Sequence, residues 1–278
     1  MHMDYYVRLD TLLIIFAAII IVAGIIWITV HRNFGRSLLA MTRKIDSEKE
    51  KYREMKQQMT NNIAHELRTP VSSIRGYLET LTSCPDIDPE RKQQFIERAY
   101  AQSIRLSDLI RDIALITKIE EASSQLVKEN VDMRKISDDV FEEFKDDISR
   151  RGVNIENMLP YSLVISANST LLYAILRNLV ENSLKYAGDH ITIHIECMGL
   201  KSGLYYFKYY DTGKGVGREH LKRIFERFYR VQEGRTRDAG GSGLGLSIVR
   251  NAVSFHGGDI TALAHNGGGL EYRFSLRK

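Results

Sequence analysis

The sequence predicts an α+β, multi-domain chain. Its parts are a transmembrane helix, a helical hairpin that pairs with a second copy as a four-helix bundle, and an α/β sandwich domain. Three observations predict this. Residues 11–30 carry no charge. Two helical periodicities follow, separated by the turn cluster Ser83-Cys84-Pro85-Asp86-Ile87-Asp88-Pro89. From residue 126 onward, short alternating runs, apolar-faced helices and glycine clusters replace the long helices. The length of 278 residues suits about two globular domains, and 44% hydrophobic with 27% charged residues is an ordinary folded composition.

At about 1.5 Å per residue, the run 11–30 spans roughly 30 Å, the hydrocarbon thickness of a bilayer. Trp27 stands near its far end, where interfacial aromatics collect. A buried core helix of this length normally keeps a polar face. A cleaved signal peptide has a shorter apolar region followed by a small-residue site. His31, Arg32, Arg36, Arg43 and Lys44 follow the run, whereas Asp4, Arg8 and Asp10 precede it. The positive-inside bias therefore predicts a single-pass protein of the cytoplasmic (inner) membrane, with the lipid bilayer as one partner. Residues 1–10 would be a short extracytoplasmic N-terminus, too small for a sensory domain. Cys84 and Cys197 are isolated, which indicates neither a zinc site nor a disulfide framework and suits a reducing compartment. A net charge of +4 over the whole chain is too weak to argue for a direct nucleic-acid partner.

Residues 31–60 hold no Gly or Pro after Gly35. Leu38, Ile45, Tyr52 and Met59 recur every seventh residue, with Met41, Glu48, Met55 and Asn62 as a more polar second seam. This predicts a weak parallel coiled coil acting as a signalling linker. In the hairpin, residues 61–122, Ile63, Leu67, Val71, Ile74 and Leu78 form one apolar stripe. Phe95, Ala99, Leu106, Leu109, Ile113 and Ile116 form the other, after Asp88 as N-cap and Pro89 at the first helical position. One stripe per helix buries poorly alone, so a homodimer is expected.

His65 and Glu66 lie off the first stripe, in the run His65-Glu66-Leu67-Arg68-Thr69-Pro70. A neutral imidazole is a nucleophile near neutral pH, and an adjacent carboxylate can accept the proton of its second nitrogen. Pro70 removes a backbone donor and is expected to bend the helix there. Taken alone, such a histidine is more often a solvated helix residue.

Residues 126–278 read as the α/β sandwich. Strands are expected at 126–133, 153–158, 163–166, 191–196 and 205–210, with helices at about 135–150 and at 168–187. Asn178, Asn182 and Lys185 stand at steps of four and three on one helix face, which suits a phosphate–Mg²⁺ group. An amide oxygen is a hard ligand and a lysine a positive charge. Asp211 opens the turn Asp211-Thr212-Gly213-Lys214-Gly215, and its carboxylate can accept from an adenine amino group while Gly213 and Gly215 let the backbone pass close to the base. The run Gly240-Gly241-Ser242-Gly243-Leu244-Gly245-Leu246-Ser247 leads into the last long helix, and glycines before a helix N-terminus form an anion site. This is neither a Walker loop nor a dinucleotide fingerprint. His256-Gly257-Gly258 reads as a structural turn.

The histidine run followed by the Asn178–Asn182, Asp211 and Gly241–Gly245 clusters, in that order, resembles the sensor histidine kinases of two-component systems over roughly residues 45–278. The resemblance implies a Bergerat-type ATP-binding domain, shared with gyrase and MutL, using ATP and Mg²⁺. It implies phosphorylation of His65 assisted by Glu66, and onward transfer to an aspartate of a response regulator receiver domain. It further implies phosphatase activity with Thr69 positioning water. Asn182 would be the metal ligand. Asn178, Lys185, Tyr186, Asp211, Gly213, Gly215, Gly241, Gly243, Leu244 and Gly245 would contact nucleotide, and Arg230 would reach the phosphates from a lid. Two departures are visible. Family members usually carry a sensor between two spans, and often Asp where this chain has Ala167-Asn168. A Bergerat ATPase driven by nucleotide-dependent dimerisation, or an ATP-binding scaffold without transfer, are the alternatives. The histidine run argues against the first and the intact His65, Asn182 and Asp211 against the second.

Overall fold

The computed structural model describes residues 2–84, 86–231 and 241–278; the side chains of residues 2–13, 19, 23, 30, 33, 35–40 and 52 lie outside the description. Two compact units emerge, Met1–Asn61 and Asn62–Lys278.

The first helix, α1 (His2–Ser83), is continuous. In its first part Ile15, Phe16, Ile21, Ile25 and Trp27 are all exposed. Among the described residues, no helix is long and apolar enough to cross a membrane; residues 11–13, 19, 23 and 30 of the expected span are not among those with described side chains. Of the heptad seam, Met41, Ile45 and Met55 are exposed, while Leu38 and Tyr52 fall outside the described side chains. Both cysteines are free thiols.

Within the second unit, α1 turns back into α2 (Pro89–Glu121). Asp88 caps it, its carboxylate accepting from the Arg91 N–H at 3.2 Å, with Pro89 in the first turn. Tyr77 of α1 stacks on Phe95 of α2 with ring centroids 5.7 Å apart. Pro70 lies inside α1, so the carbonyl of Glu66 has no helical donor there, yet the helix runs on.

The sandwich has a five-stranded sheet of order β2-β4-β5-β7-β6 and a two-stranded antiparallel pair β1-β3. The strands are β1 (Glu129–Asp132), β2 (Asn154–Met158), β3 (Val164–Ala167), β4 (Thr192–Lys201), β5 (Leu204–Asp211), β6 (Ile260–Ala264) and β7 (Leu270–Arg277). Only β2 and β4 pair in parallel. Helices α3 (Met133–Glu143), α5 (Ser169–Asn182) and α6 (Gly245–Phe255) cover one face. The period-2 alternation of the strands sends Ile193, Ile195, Phe207, Tyr209, Tyr272 and Phe274 inward, where they meet Leu172, Ile175 and Leu179 of α5 and Val249 and Val253 of α6.

Three elements differ from expectation. The strand expected at 126–133 starts only at Glu129, after a 3₁₀ turn at Ser123–Gln125. The helix expected at 135–150 is broken at Phe144 into α3 and a short α4 (Lys145–Arg150). The helix expected at 168–187 is capped by Asn168, whose side chain accepts from the Leu171 N–H at 3.1 Å, but it is α-helical only to Asn182. Ser183–Ala187 continue as a π-turn. His256 is a structural residue: its Nε2 accepts from the Asn168 N–H at 3.0 Å and its Nδ1–H donates to the Ala252 carbonyl at 2.7 Å. Burial lowers its pKa, which keeps the ring neutral.

Candidate functional site

The π-turn is where the site begins. Asp211 ends β5 opposite Ile193 of β4 and is buried. Its Oδ2 accepts from the Ser183 hydroxyl at 3.0 Å and its Oδ1 from the Gly213 N–H at 3.0 Å. The Lys214 N–H donates to the Ala187 carbonyl at 3.1 Å, so the turn after Asp211 is laced to the end of the π-turn. Gly213 lies against Ala187, and Gly215 against the backbone of Gly269.

Asn178, Asn182 and Lys185 differ in exposure along the helix. Asn178 is buried, its Nδ2 donating to the Ala174 carbonyl at 2.8 Å. Asn182, at the end of α5, is half-buried, and Lys185 is exposed with its Nζ 2.5 Å from Glu181 Oε1. After Asn182 the helix continues as the π-turn Ser183–Ala187, with Lys185 paired to Glu181 four residues back.

The glycine run meets this helix directly. A Cβ on Gly245 would stand 2.5 Å from Asn178 Oδ1, so only glycine lets α6 start so close to α5. A side chain at Gly241 would run into the Tyr186 hydroxyl. Leu244, buried, is the N-cap of α6 and supplies no capping side-chain hydrogen bond. The first-turn N–H groups of α6 therefore keep their capacity for an anion. Gly243 adopts φ +71° and its carbonyl accepts from the Phe228 N–H at 2.8 Å; Phe228 itself sits at φ +62°. This bond joins Phe228 to Gly243 on either side of residues 232–240, which lie outside the described residues.

His65 and Thr69 are exposed on α1, and the Thr69 hydroxyl donates to the His65 carbonyl at 3.3 Å. Glu66 is half-buried between two arginines: Arg230 Nη2 lies 3.3 Å and Arg105 Nη2 3.9 Å from its Oε2. Arg230 also donates to the Gly241 carbonyl. Arg230 thus joins the glycine loop to the histidine helix rather than pointing only at a nucleotide.

Sequence reasoning missed several residues here. Ser242 donates to Asp112 Oδ2 of α2 at 3.2 Å, and burial pushes the Asp112 carboxyl up to about 6. Glu120 of α2 receives Arg227 and, at 3.3 Å, Asn251 of α6. Arg105, Ser183 and Tyr209 belong with them. No periodicity marks these residues, because each acts on a partner distant in sequence. Ser183 alone had a local cue, its place directly after Asn182.

The second unit is thus a helical hairpin joined to an α/β sandwich with a buried carboxylate and a glycine run facing the end of α5. Residues 55–122 match the family model of the His Kinase A (phospho-acceptor) domain, and residues 167–278 that of the histidine kinase-, DNA gyrase B- and HSP90-like ATPases. The chain belongs to the sensor histidine kinases of two-component systems. It is 29% identical to the sensor histidine kinase WalK of Bacillus subtilis (strain 168) over 251 residues, 89% of this chain and 41% of WalK. The chain spans 41–52% of the length of curated relatives such as WalK and VanS. The structure of the Acinetobacter baumannii histidine kinase AdeS shares the fold, with TM-score 0.63 and 21% identity over 77% of this chain and 97% of that one. So does histidine kinase ThkA, solved in complex with response regulator protein TrrA, with TM-score 0.63 and 22% identity over 80% and 61%.

Proposed function

We propose that this chain is a membrane-anchored, homodimeric protein-histidine kinase. It phosphorylates His65 from ATP, passes the phosphoryl group to an aspartate of a response regulator, and dephosphorylates that regulator. The observation that carries this reading is the convergence of Asp211, Asn178, Tyr186 and the Gly241–Gly245 run, with Arg230 reaching from that run to the residue beside His65.

Asp211 would receive the adenine amino group, and the first turn of α6 the phosphates. The residues fit a magnesium ion: the half-buried Asn182, at the end of α5, offers one hard amide oxygen. One protein oxygen supplemented by substrate phosphates is a common Mg²⁺ arrangement, and the ion would neutralise phosphate charge. A neutral His65 nitrogen attacks the γ-phosphorus, the P–N bond forms, and the bond to the ADP oxygen breaks. Glu66 accepts the proton on the other ring nitrogen. In the present structure Glu66 faces Arg230 and Arg105, so it must exchange Arg230 for the imidazole first. The exposed Thr69 hydroxyl, one turn along, suits positioning water for hydrolysis of a docked phospho-aspartate.

Anchoring is supported by the uncharged run 11–30 and the exposed apolar side chains of its described part. Dimerisation is supported by the apolar groove lined by Val71, Ile74, Leu78 and Leu106. A regulator partner is supported by the ThkA–TrrA complex. Incubation with γ-labelled ATP tests the reading: an acid-labile, base-stable label on the chain is expected. Hydrolysis of ATP without a labelled chain would leave an ATPase, and binding without either a scaffold.

A further inference from the structure

Asp211 does not stand alone in the core. The Tyr209 hydroxyl donates to Ser183 Oγ at 3.0 Å, and Ser183 donates to Asp211 Oδ2 at 3.0 Å. All three side chains are buried, Tyr209 completely. The direction of this chain of hydrogen bonds follows from the inventory of protons. Burial holds the Tyr209 phenol well above its ordinary range, so it stays protonated and donates. A serine hydroxyl has one proton to give. With a lone pair of Ser183 taken by Tyr209, its proton goes to Asp211. The Gly213 N–H meets the other carboxylate oxygen. Protein donors thus occupy both oxygens from the protein side, and a carboxylate has further lone pairs to offer a ligand.

The hydroxyl of Tyr209 is not needed for packing. A phenylalanine would fill the same space between β5 and its neighbour β7, where Tyr209 lies beside Tyr272 with centroids 6.1 Å apart. A buried hydroxyl without a partner is costly, so its presence at a fully covered position depends on the acceptor that Ser183 supplies. Ser183 opens the π-turn that follows α5.

We propose that Tyr209 and Ser183 are positioning residues for base selection. They form a one-way donor relay that holds Asp211 as a pure acceptor, so that the pocket takes a purine presenting an exocyclic amino donor and disfavours one presenting a carbonyl at that position. This deepens, and rests on, the reading of Asp211 as the adenine contact.

Calorimetric titration of the full chain with ATP and with purine riboside triphosphate, which lacks the amino group, tests it. Ser183→Ala should weaken ATP on the order of three- to tenfold, the range for one hydrogen bond, while changing the amino-free analogue less than about twofold. Ser183→Thr, which restores a donor, should return the preference for ATP, and Tyr209→Phe should give a smaller loss in the same direction. Asp211→Asn serves as the reference. If it discriminates between the two nucleotides but Ser183→Ala weakens both equally or neither, the relay is wrong. If Asp211→Asn itself fails to discriminate, the adenine contact is misassigned and the relay falls with it.

Discussion

The hairpin and the sandwich solve the problem of burial in opposite ways. The sandwich closes its own core: both its sheet and its helices contribute fully buried side chains, from Ile193 and Phe207 to Leu172 and Val249. The hairpin does not. On α2 only Leu109, Ile116 and Ile119 are buried, and Ile119 enters the core of the sandwich. Val71 and Leu78 on α1, and Ile104 and Ile110 on α2, remain about half exposed. Covering the exposed half of each such side chain is worth about 1 kcal/mol. The contrast teaches that the hairpin leaves an apolar stripe open to another surface, whereas the sandwich buries its own sheet and helices and borrows little more than Ile119 from α2. Among the described residues, Arg230–Glu66, Ser242–Asp112, Arg227–Glu120 and Asn251–Glu120 join the two parts through side chains.

The sharpest way to test that division is to remove the nucleophile. His65→Gln should abolish labelling from ATP entirely while leaving ATP affinity unchanged, because the exposed ring contributes nothing to the pocket. A surviving acid-labile label on this variant would remove His65 as acceptor. The converse change acts on the other region. Asp211→Asn should reduce ATP affinity by roughly ten- to a hundredfold, the loss of a hydrogen bond to a charged acceptor, and GTP affinity much less. Equal losses for both nucleotides would contradict the base contact.

Leu78→Asp places a charge on the open stripe of the hairpin. It should dissociate the dimer by at least about tenfold, as measured by analytical ultracentrifugation in detergent, with the ATP affinity of the sandwich retained. A dimer of undiminished stability would mean that this stripe is covered by something other than a second copy. Thr69→Ala should leave autophosphorylation in place and slow dephosphorylation of the cognate regulator by an amount on the order of tenfold. Loss of kinase activity with phosphatase activity retained would reverse the division of labour on this helix.

The smallest effect concerns the seam between the two regions. The Asp112 carboxyl is raised to about 6 by burial, with Glu181 and Asp108 adding repulsion and Ser242 and Arg177 opposing it. A raised carboxyl means that folding favours the protonated form. The stability linked to Asp112 is therefore fully present below its ordinary value near 3.8 and is lost as pH rises through about 6. Asp112→Asn keeps an oxygen for Ser242 and removes the charge. It should stabilise the chain by about 1–2 kcal/mol at pH 7.5 and by nearly nothing at pH 4. Unfolding midpoints measured at the two pH values check this; a gain confined to the acid side would invert the assignment.

Much of the architecture could be read from local order. The Asp88-Pro89 helix start, the two stripes of the hairpin and the strand alternation at 191–196 and 205–210 depend on neighbours three, four or two residues away, and such spacing is printed in the chain itself. The glycine run before α6 was legible for the same reason, since a helix N-terminus and its approach are contiguous. The partners of individual side chains were not legible in this way. The π-turn at Ser183–Ala187 has no mark in the spacing that set Lys185 beside Asn182. Arg230, which the resemblance directs to phosphates, hydrogen-bonds to Gly241 and to Glu66, a residue 164 positions earlier.

By itself, then, the sequence determined most of the element types, the place of His65 and Glu66 off the apolar stripe, and the glycine run that leads into α6, because each of these is set by short-range sterics, hydrophobic period and side-chain chemistry. Only the tertiary structure decided how Asp211 is held and which arginines face Glu66. It also decided that Asp112 meets Ser242 of the glycine run. Those facts arise where β5, the π-turn, α2 and the loop before α6 are brought within hydrogen-bond distance by a shared core, and no local rule specifies which buried polar groups will find each other there.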